Sequence, residues 1–256
     1  MNIKNSHILK IKQIYPDTTD ITKPSVPGNV HDIYIATTSK NKFVCRFSDK
    51  QMAQHNYHVS NLLAQHNIPA PKVSIYKCGT EYCETYPFIN GKTLHERLKE
   101  GMSSEKIYNV YSQLFDISSK ISKLPFESIA KTKKAISAKL SEKFFTILNY
   151  SDIRLSHVDL HAKNIIVDDN DNIKAILDLD AICPERVVVP MINIIANAKS
   201  YGYDIKNIMR IYSGNSIKPK FISLEAQIRF YSALKTVAKR ILGDFMVKQI
   251  LKIRVR

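Results

Sequence analysis

The stretch that decides the reading of this chain is His157-Val158-Asp159-Leu160-His161-Ala162-Lys163-Asn164-Ile165-Ile166-Val167, followed by Asp168-Asp169-Asn170-Asp171-Asn172 and Ile173-Lys174-Ala175-Ile176-Leu177-Asp178. Five polar residues between two short apolar, β-branched runs predict a hairpin. With the turn centred on Asp171, Asn164 and Asp178 each stand seven residues away, so the two arms bring them side by side at the open end. Asp159 lies on the loop just before the first arm. Three oxygen-bearing side chains thus converge from 20 residues of chain.

These residue types suit one chemistry. A carboxylate and an amide oxygen fit a hard cation such as magnesium, which also keeps water and phosphate oxygens. A neighbouring carboxylate left free of the metal can take a proton from an attacking hydroxyl. Asp159 for the nucleophile, with Asn164 and Asp178 for Mg2+, is the division of labour of phosphoryl transfer from ATP. A plain surface hairpin would explain the acids from Asp168 to Asp171, but not His157, Asp159, Asn164 and Asp178 together. The turn is not a calcium loop either. Ile173 stands where an EF-hand requires glycine, and Leu179 where it requires glutamate.

Upstream of this stretch, residues 1–23 read as irregular. Ile33–Ala36 and Phe43–Phe47 read as strands joined by a turn at Thr38–Asn41. Asp49 is a candidate cap for a helix running to about His66, which Ile68-Pro69-Ala70-Pro71 ends. Strands follow at Lys72–Lys77 and Tyr82–Tyr86. After Gly91 the pattern turns helical, at Leu94–Lys99, Glu105–Ile121, Lys139–Leu148, Met191–Lys199, Ile205–Tyr212 and Leu224–Leu242. The expectation is an α+β chain with a small β-rich part over residues 1–90 and a larger, mostly helical part over 91–256.

The 256 residues suffice for two lobes sharing a cleft. No apolar run approaches the ~20 residues of a membrane span, and the N-terminus lacks the pattern of a signal peptide, so a cytoplasmic location is expected. Cys45, Cys78, Cys83 and Cys183 form no metal-binding spacing and read as reduced thiols. Cys78 and Cys83 are expected to face one another loosely across a hairpin at Gly79-Thr80. The net charge is +15, and the segment from Ala181 onward carries 14 Lys+Arg against four acids. Such an excess favours anionic partners where it forms one face, but scattered lysines also suit an ordinary solvated surface.

The pattern HxDxxxxN, with an Ile/Leu-Asp-x-Asp strand end placing its first Asp 14 residues after the Asn, resembles the aminoglycoside phosphotransferase and choline kinase group. The resemblance implies a bilobal protein-kinase-like fold, with ATP and Mg2+ as cofactors and a small-molecule hydroxyl as acceptor. It implies Asp159 as the catalytic base, with Asn164 and Asp178 on the metal. Gly28-Asn29 is similar to the family's phosphate-covering loop, and Arg46 to its phosphate-contacting cation. Tyr86-Pro87-Phe88 is similar to its adenine-holding hinge.

The chain departs from that pattern in two places. The family's first-lobe helix carries a glutamate that orients the basic strand residue, yet no Asp or Glu occurs between Lys50 and Thr80. Gln54, His55 or Asn56 takes that place, so Arg46 is expected to rest on a neutral hydrogen bond or on the nucleotide. The acid expected after the Asp178-Leu179-Asp180 strand end is also absent from Val187–Ile195. Absence of Trp and the basic C-terminal segment argue against choline and aminoglycosides, and a sugar, amino alcohol or anionic metabolite fits better. The alternatives are a kinase acting on protein or RNA, and a nucleotide-binding pseudokinase.

Overall fold

The computed structural model describes residues 3–24, 32–125, 129, 153–186, 190, 193–194, 197–198 and 200–203. The expected helices at Lys139–Leu148, Ile205–Tyr212 and Leu224–Leu242 lie outside these residues, as do Gly28 and Asn29.

The architecture is α+β. Helix α1 (Asn5–Ile14) leads into β1 (Thr18–Thr22), β2 (Asp32–Thr38) and β3 (Lys42–Ser48). Helix α2 (Lys50–Gln65) follows, then β4 (Ser74–Cys78) and β5 (Glu81–Pro87). The five strands form one antiparallel sheet in the order β1-β2-β3-β5-β4. Strand β6 (Lys92–Thr93) and helices α3 (Leu94–Glu100) and α4 (Ser104–Ser122) come next. After them run β7 (Ile153–His157), β8 (Ile165–Val167), β9 (Ile173–Ile176) and β10 (Ile182–Arg186). A three-stranded sheet β6-β8-β9 and a two-stranded sheet β10-β7 are separate from the first sheet.

Local chemistry accounts for the helices. Asp49 caps α2 by accepting from the Met52 N–H at 2.8 Å, as its short carboxylate is suited to do. Thr93 and Glu96 form a capping box at the start of α3. Helix α4 buries Ile107, Val110, Leu114, Ile117 and Ile121, a stripe of period close to 3.6. With Leu155, Leu160, Val167 and Ile176 these build the larger core, which also receives Val59 and Leu63 of α2. A smaller core of Ile11, Tyr34, Cys45, Phe47 and Cys83 lies against the first sheet.

Three expectations are corrected. Residues 1–23 contain α1 and β1, not irregular chain. Their order comes from tertiary contacts: the His7 ring stacks on Phe47 at 3.8 Å and hydrogen-bonds Tyr34 at 3.1 Å. Cys78 pairs with Glu81, and Cys83 lies opposite Tyr76, because the hairpin closes tightly at Gly79-Thr80; all four cysteines are free. The hairpin after the loop is also one residue off the symmetric register. Ile165 pairs with Ile176, and a bulge sets Val167 against Ile173, so Asn164 meets Leu177 and Asp178 lies one residue further on.

Candidate active site

The loop from His157 to Asn164 is built by its own backbone and by one histidine. His157, 1% exposed, accepts the Asp159 N–H at Nδ1 over 3.3 Å and donates from Nε2 to the Leu177 carbonyl at 2.8 Å. Both ring nitrogens are thereby satisfied in the neutral form. Burial holds the His157 pKa below its usual value, in keeping with that neutral state. The ring ties the loop to the far arm of the hairpin, which places Asp159 relative to Asp178. Asn193 donates to the Val158 carbonyl, and Asn197 accepts the Ala162 N–H at 3.1 Å. Two neutral amides thus hold the loop where an acid was expected.

Asp159 is half-exposed. The His161 Nε2 lies 3.4 Å from its Oδ2, and the Asn164 Nδ2 donates to Oδ2 at 3.3 Å and to the Asp159 carbonyl at 3.0 Å. His161 can offer an Nε2–H because its Nδ1 accepts the Lys163 N–H at 3.2 Å. The bond from His161 holds the Asp159 carboxyl below the ordinary range, and Asp159 in turn raises His161. Asp159 is therefore ionised at neutral pH. Among the described residues the side-chain bonds of Asp159 run to Oδ2.

The turn between the arms is anchored from behind. Asp171 is fully buried in a left-handed conformation, φ 62°, and meets Arg97 Nε at 2.9 Å, Arg97 Nη2 at 2.7 Å and Lys106 Nζ at 3.0 Å. Gln113 accepts the Ile173 N–H at 2.9 Å. Asp168 accepts the Asn170 and Asn172 N–H groups at 2.9 and 2.8 Å, so the acids of the turn shape it rather than gather a metal. At the other end Gly91 approaches so closely that a Cβ there would lie 2.5 Å from the Val167 carbonyl oxygen.

The far arm ends in Asp178, which adopts φ 60° and ψ 55° before a short 3-10 turn, Leu179–Ala181. Arg46 of β3, 6% exposed, reaches this turn. Its Nη1 donates to Asp180 Oδ1 at 3.1 Å and lies 3.7 Å from Asp178 Oδ1. Arg46 is thus held by an ion pair with Asp180, not by a neutral bond from α2. Burial, then the neighbouring Asp180, pushes the Asp178 carboxyl up to about 7. Arg46 keeps two buried donors, Nε and Nη2, with no hydrogen-bond partner among the described residues.

The remaining expected residues fall as follows. Tyr86 lies on β5 opposite Val44, partly buried against the larger core, and burial pushes its hydroxyl up to about 12. Phe88 is exposed, and its N–H donates to the Lys42 carbonyl at 2.8 Å, extending the β3–β5 ladder. Of the helix candidates, Gln54 is exposed, whereas Asn56 is buried and donates to Glu84 of β5 at 2.7 Å. Glu84, Asn193 and Asn197 were not singled out by sequence. The Asn193/Asn197 spacing of four, just downstream of the motif, is a faint signal; Glu84 has none without the strand register.

No protein-family model and no curated protein sequence matches the chain. Solved structures do. A spectinomycin phosphotransferase in complex with ADP and spectinomycin matches with a TM-score of 0.67 at 12% identity, over 97% of this chain and 93% of that one. A macrolide 2'-phosphotransferase from Brachybacterium faecium matches with 0.64 at 14%, over 96% of each chain. The fold is the kinase-like fold of the antibiotic phosphotransferases. An aminoglycoside-3'-phosphotransferase of type VIII shows it again, with a TM-score of 0.62 at 9% identity over 87% of this chain and 96% of that one. At such identities the likeness is one of fold, and the chemistry of this kinase-like chain rests on its own side chains.

Proposed function

We propose that the protein is an ATP- and magnesium-dependent phosphotransferase that moves the γ-phosphate of ATP to a hydroxyl of a small molecule. The observation that carries this reading is Arg46. A buried guanidinium with two donors that have no partner among the described residues, beside the carboxylates of Asp178 and Asp180, is arranged for an anion that brings its own cation. Leaving buried donors unmet costs about 1–3 kcal/mol each, a cost that phosphate oxygens would remove.

The residues fit magnesium. Burial, then the neighbouring Asp180, raise the Asp178 carboxyl, a cost that a bound cation would offset, and Mg2+ needs only one or two protein carboxylates when phosphates and water complete its shell. Asp178 and Asn164 would hold it, and its charge would offset that of the transferring phosphoryl group. Phe88 N–H is taken by Lys42, so in an extended chain the groups turned away from β3 are the Pro87 carbonyl and Ile89 N–H. These are the hinge groups suited to adenine. Residues 1–90 form the lobe that covers the nucleotide, and residues 91–256 carry the catalytic loop and the acceptor.

Asp159 orients the acceptor hydroxyl and takes its proton at Oδ1, while His161 and Asn164 keep Oδ2 in place. Calorimetric titration of the protein with Mg·ATP, with and without EDTA, tests the binding half of the reading. Affinity that falls on removal of the metal is expected, and no binding at millimolar ATP would sink it. A radiolabel screen over sugars, amino alcohols, aminoglycosides, proteins and tRNA tests the acceptor class.

A further inference from the structure

Arg46 is a buried cation with no acid on the helix beside it: none of the 16 residues of α2 is Asp or Glu. A guanidinium only 6% exposed needs anionic company to remain charged and fixed. Asp180 supplies it from one side. On the sheet, Glu84 of β5 stands directly across from Arg46 of β3 in the antiparallel ladder, so the two side chains leave the same face with Cβ atoms about 5 Å apart. Glu84 is 2% exposed. Its Oε1 accepts from the Ser48 hydroxyl at 2.5 Å and its Oε2 from Asn56 Nδ2 at 2.7 Å. Neither donor is charged, so neither cancels the carboxylate. Burial pulls the Arg46 pKa down, but Asp180, then Glu84 and Asp178, raise it by more.

The geometry points to Glu84 as a residue that positions Arg46 for the nucleotide. From the facing position on β5 its charge acts on the guanidinium without a direct hydrogen bond, and through Asn56 it ties α2 to the same point. The acid that the helix lacks is supplied by the strand, and the helix contributes the amide that holds it. Ser48, two residues beyond Arg46 on β3, fixes the second carboxylate oxygen and so limits rotation of Glu84. This assignment rests on the reading of Arg46 as the phosphate contact.

The test is a double-variant comparison of Mg·ATP affinity by calorimetry, with wild type, Arg46→Ala, Glu84→Gln and the two combined. Glu84→Gln keeps the volume, and the Asn56 Oδ1, which has no partner among the described residues, can accept the new amide once Asn56 turns. Arg46→Ala is expected to weaken Mg·ATP by more than about tenfold, and Glu84→Gln by about tenfold in the wild-type background but less than about twofold beside Arg46→Ala. Glu84→Asp keeps the charge and is expected to stay within about threefold of wild type. Wild-type affinity in Glu84→Gln, with Arg46→Ala impaired, overturns the assignment. So does an equal loss from Glu84→Gln in both backgrounds, the mark of a residue that only supports the fold, and so does a loss in Glu84→Asp as large as in Glu84→Gln. Unchanged affinity in Arg46→Ala instead overturns the nucleotide reading on which the assignment rests.

Discussion

Asp171 is the deepest charge in the hairpin, and its removal has a calculable cost. The carboxylate is fully buried, takes two bonds from Arg97 and one ion pair from Lys106, and sits at φ 62°. Arg97 and Lys106 are themselves 22% and 54% exposed in their side chains, so both cations can return to water when the acid is gone. The loss is then the net worth of charged hydrogen bonds, about 1.5–3 kcal/mol. In Asp171→Ala a further ~1–2 kcal/mol arises because alanine resists the left-handed conformation. Asparagine tolerates that conformation, so Asp171→Asn is the milder change. For a chain of this size each kcal/mol shifts Tm by roughly 2–4 °C, which gives a fall of about 3–12 °C for Asn and about 5–20 °C for Ala. Arg97 and Lys106 outweigh burial and hold the Asp171 carboxyl below its usual range. Its stabilisation is therefore fully present above the unfolded pKa of about 3.9 and lost as pH falls through the lower folded value. Thermal melts from pH 8 down to pH 3 check this. Equal Tm values for wild type and both variants at pH 7 would refute the reasoning, as would a wild-type advantage that grows below pH 4.

Other consequences follow from the same geometry. Gly91→Ala would drive a Cβ to 2.5 Å from the Val167 carbonyl oxygen and 2.7 Å from Ile166 Cγ2, an overpacking expected to cost about 1–3 kcal/mol and readable in urea unfolding. Asp178 has a raised folded pKa of about 7, so it lowers stability increasingly as pH rises from the unfolded value through 7. Asp178→Asn should therefore raise the Tm of the free protein at pH 8 while weakening Mg·ATP. In wild type, Mg·ATP affinity should climb between pH 6 and 8 with release of up to one proton, measurable by calorimetry in buffers of different ionisation enthalpy; a flat profile counts against the metal assignment.

The sequence made the candidate catalytic stretch legible because its residues are local. Asp159, Asn164 and Asp178 fall within one loop and one hairpin, and polar residues between apolar runs mark that hairpin without any tertiary knowledge. Helix α2 was legible for the same reason, with Asp49 at its start and Pro69 and Pro71 beyond its end. Helix α1 was not, because its place depends on His7 stacking on Phe47 and bonding Tyr34, residues 27 or more positions away. The partner of Arg46 was missed in the same way. No acid stands on α2; Asp180 lies 134 residues downstream, and Glu84 is brought alongside only by strand register. The one-residue offset between Asn164 and Asp178 likewise depends on a bulge that composition does not announce.

The central claim is that Asp159 takes the proton of an acceptor hydroxyl while other residues hold the nucleotide. Asp159→Asn preserves shape and the contact with Asn164 but cannot take the proton. The deciding measurement is turnover and Mg·ATP affinity of this variant beside wild type, on the acceptor that the screen returns. The account predicts affinity nearly unchanged and turnover lowered by roughly two to four powers of ten, the usual worth of a general base. Full turnover in Asp159→Asn would contradict the assignment of the base, and wild-type protein that binds Mg·ATP yet transfers phosphate to no acceptor would contradict catalysis itself.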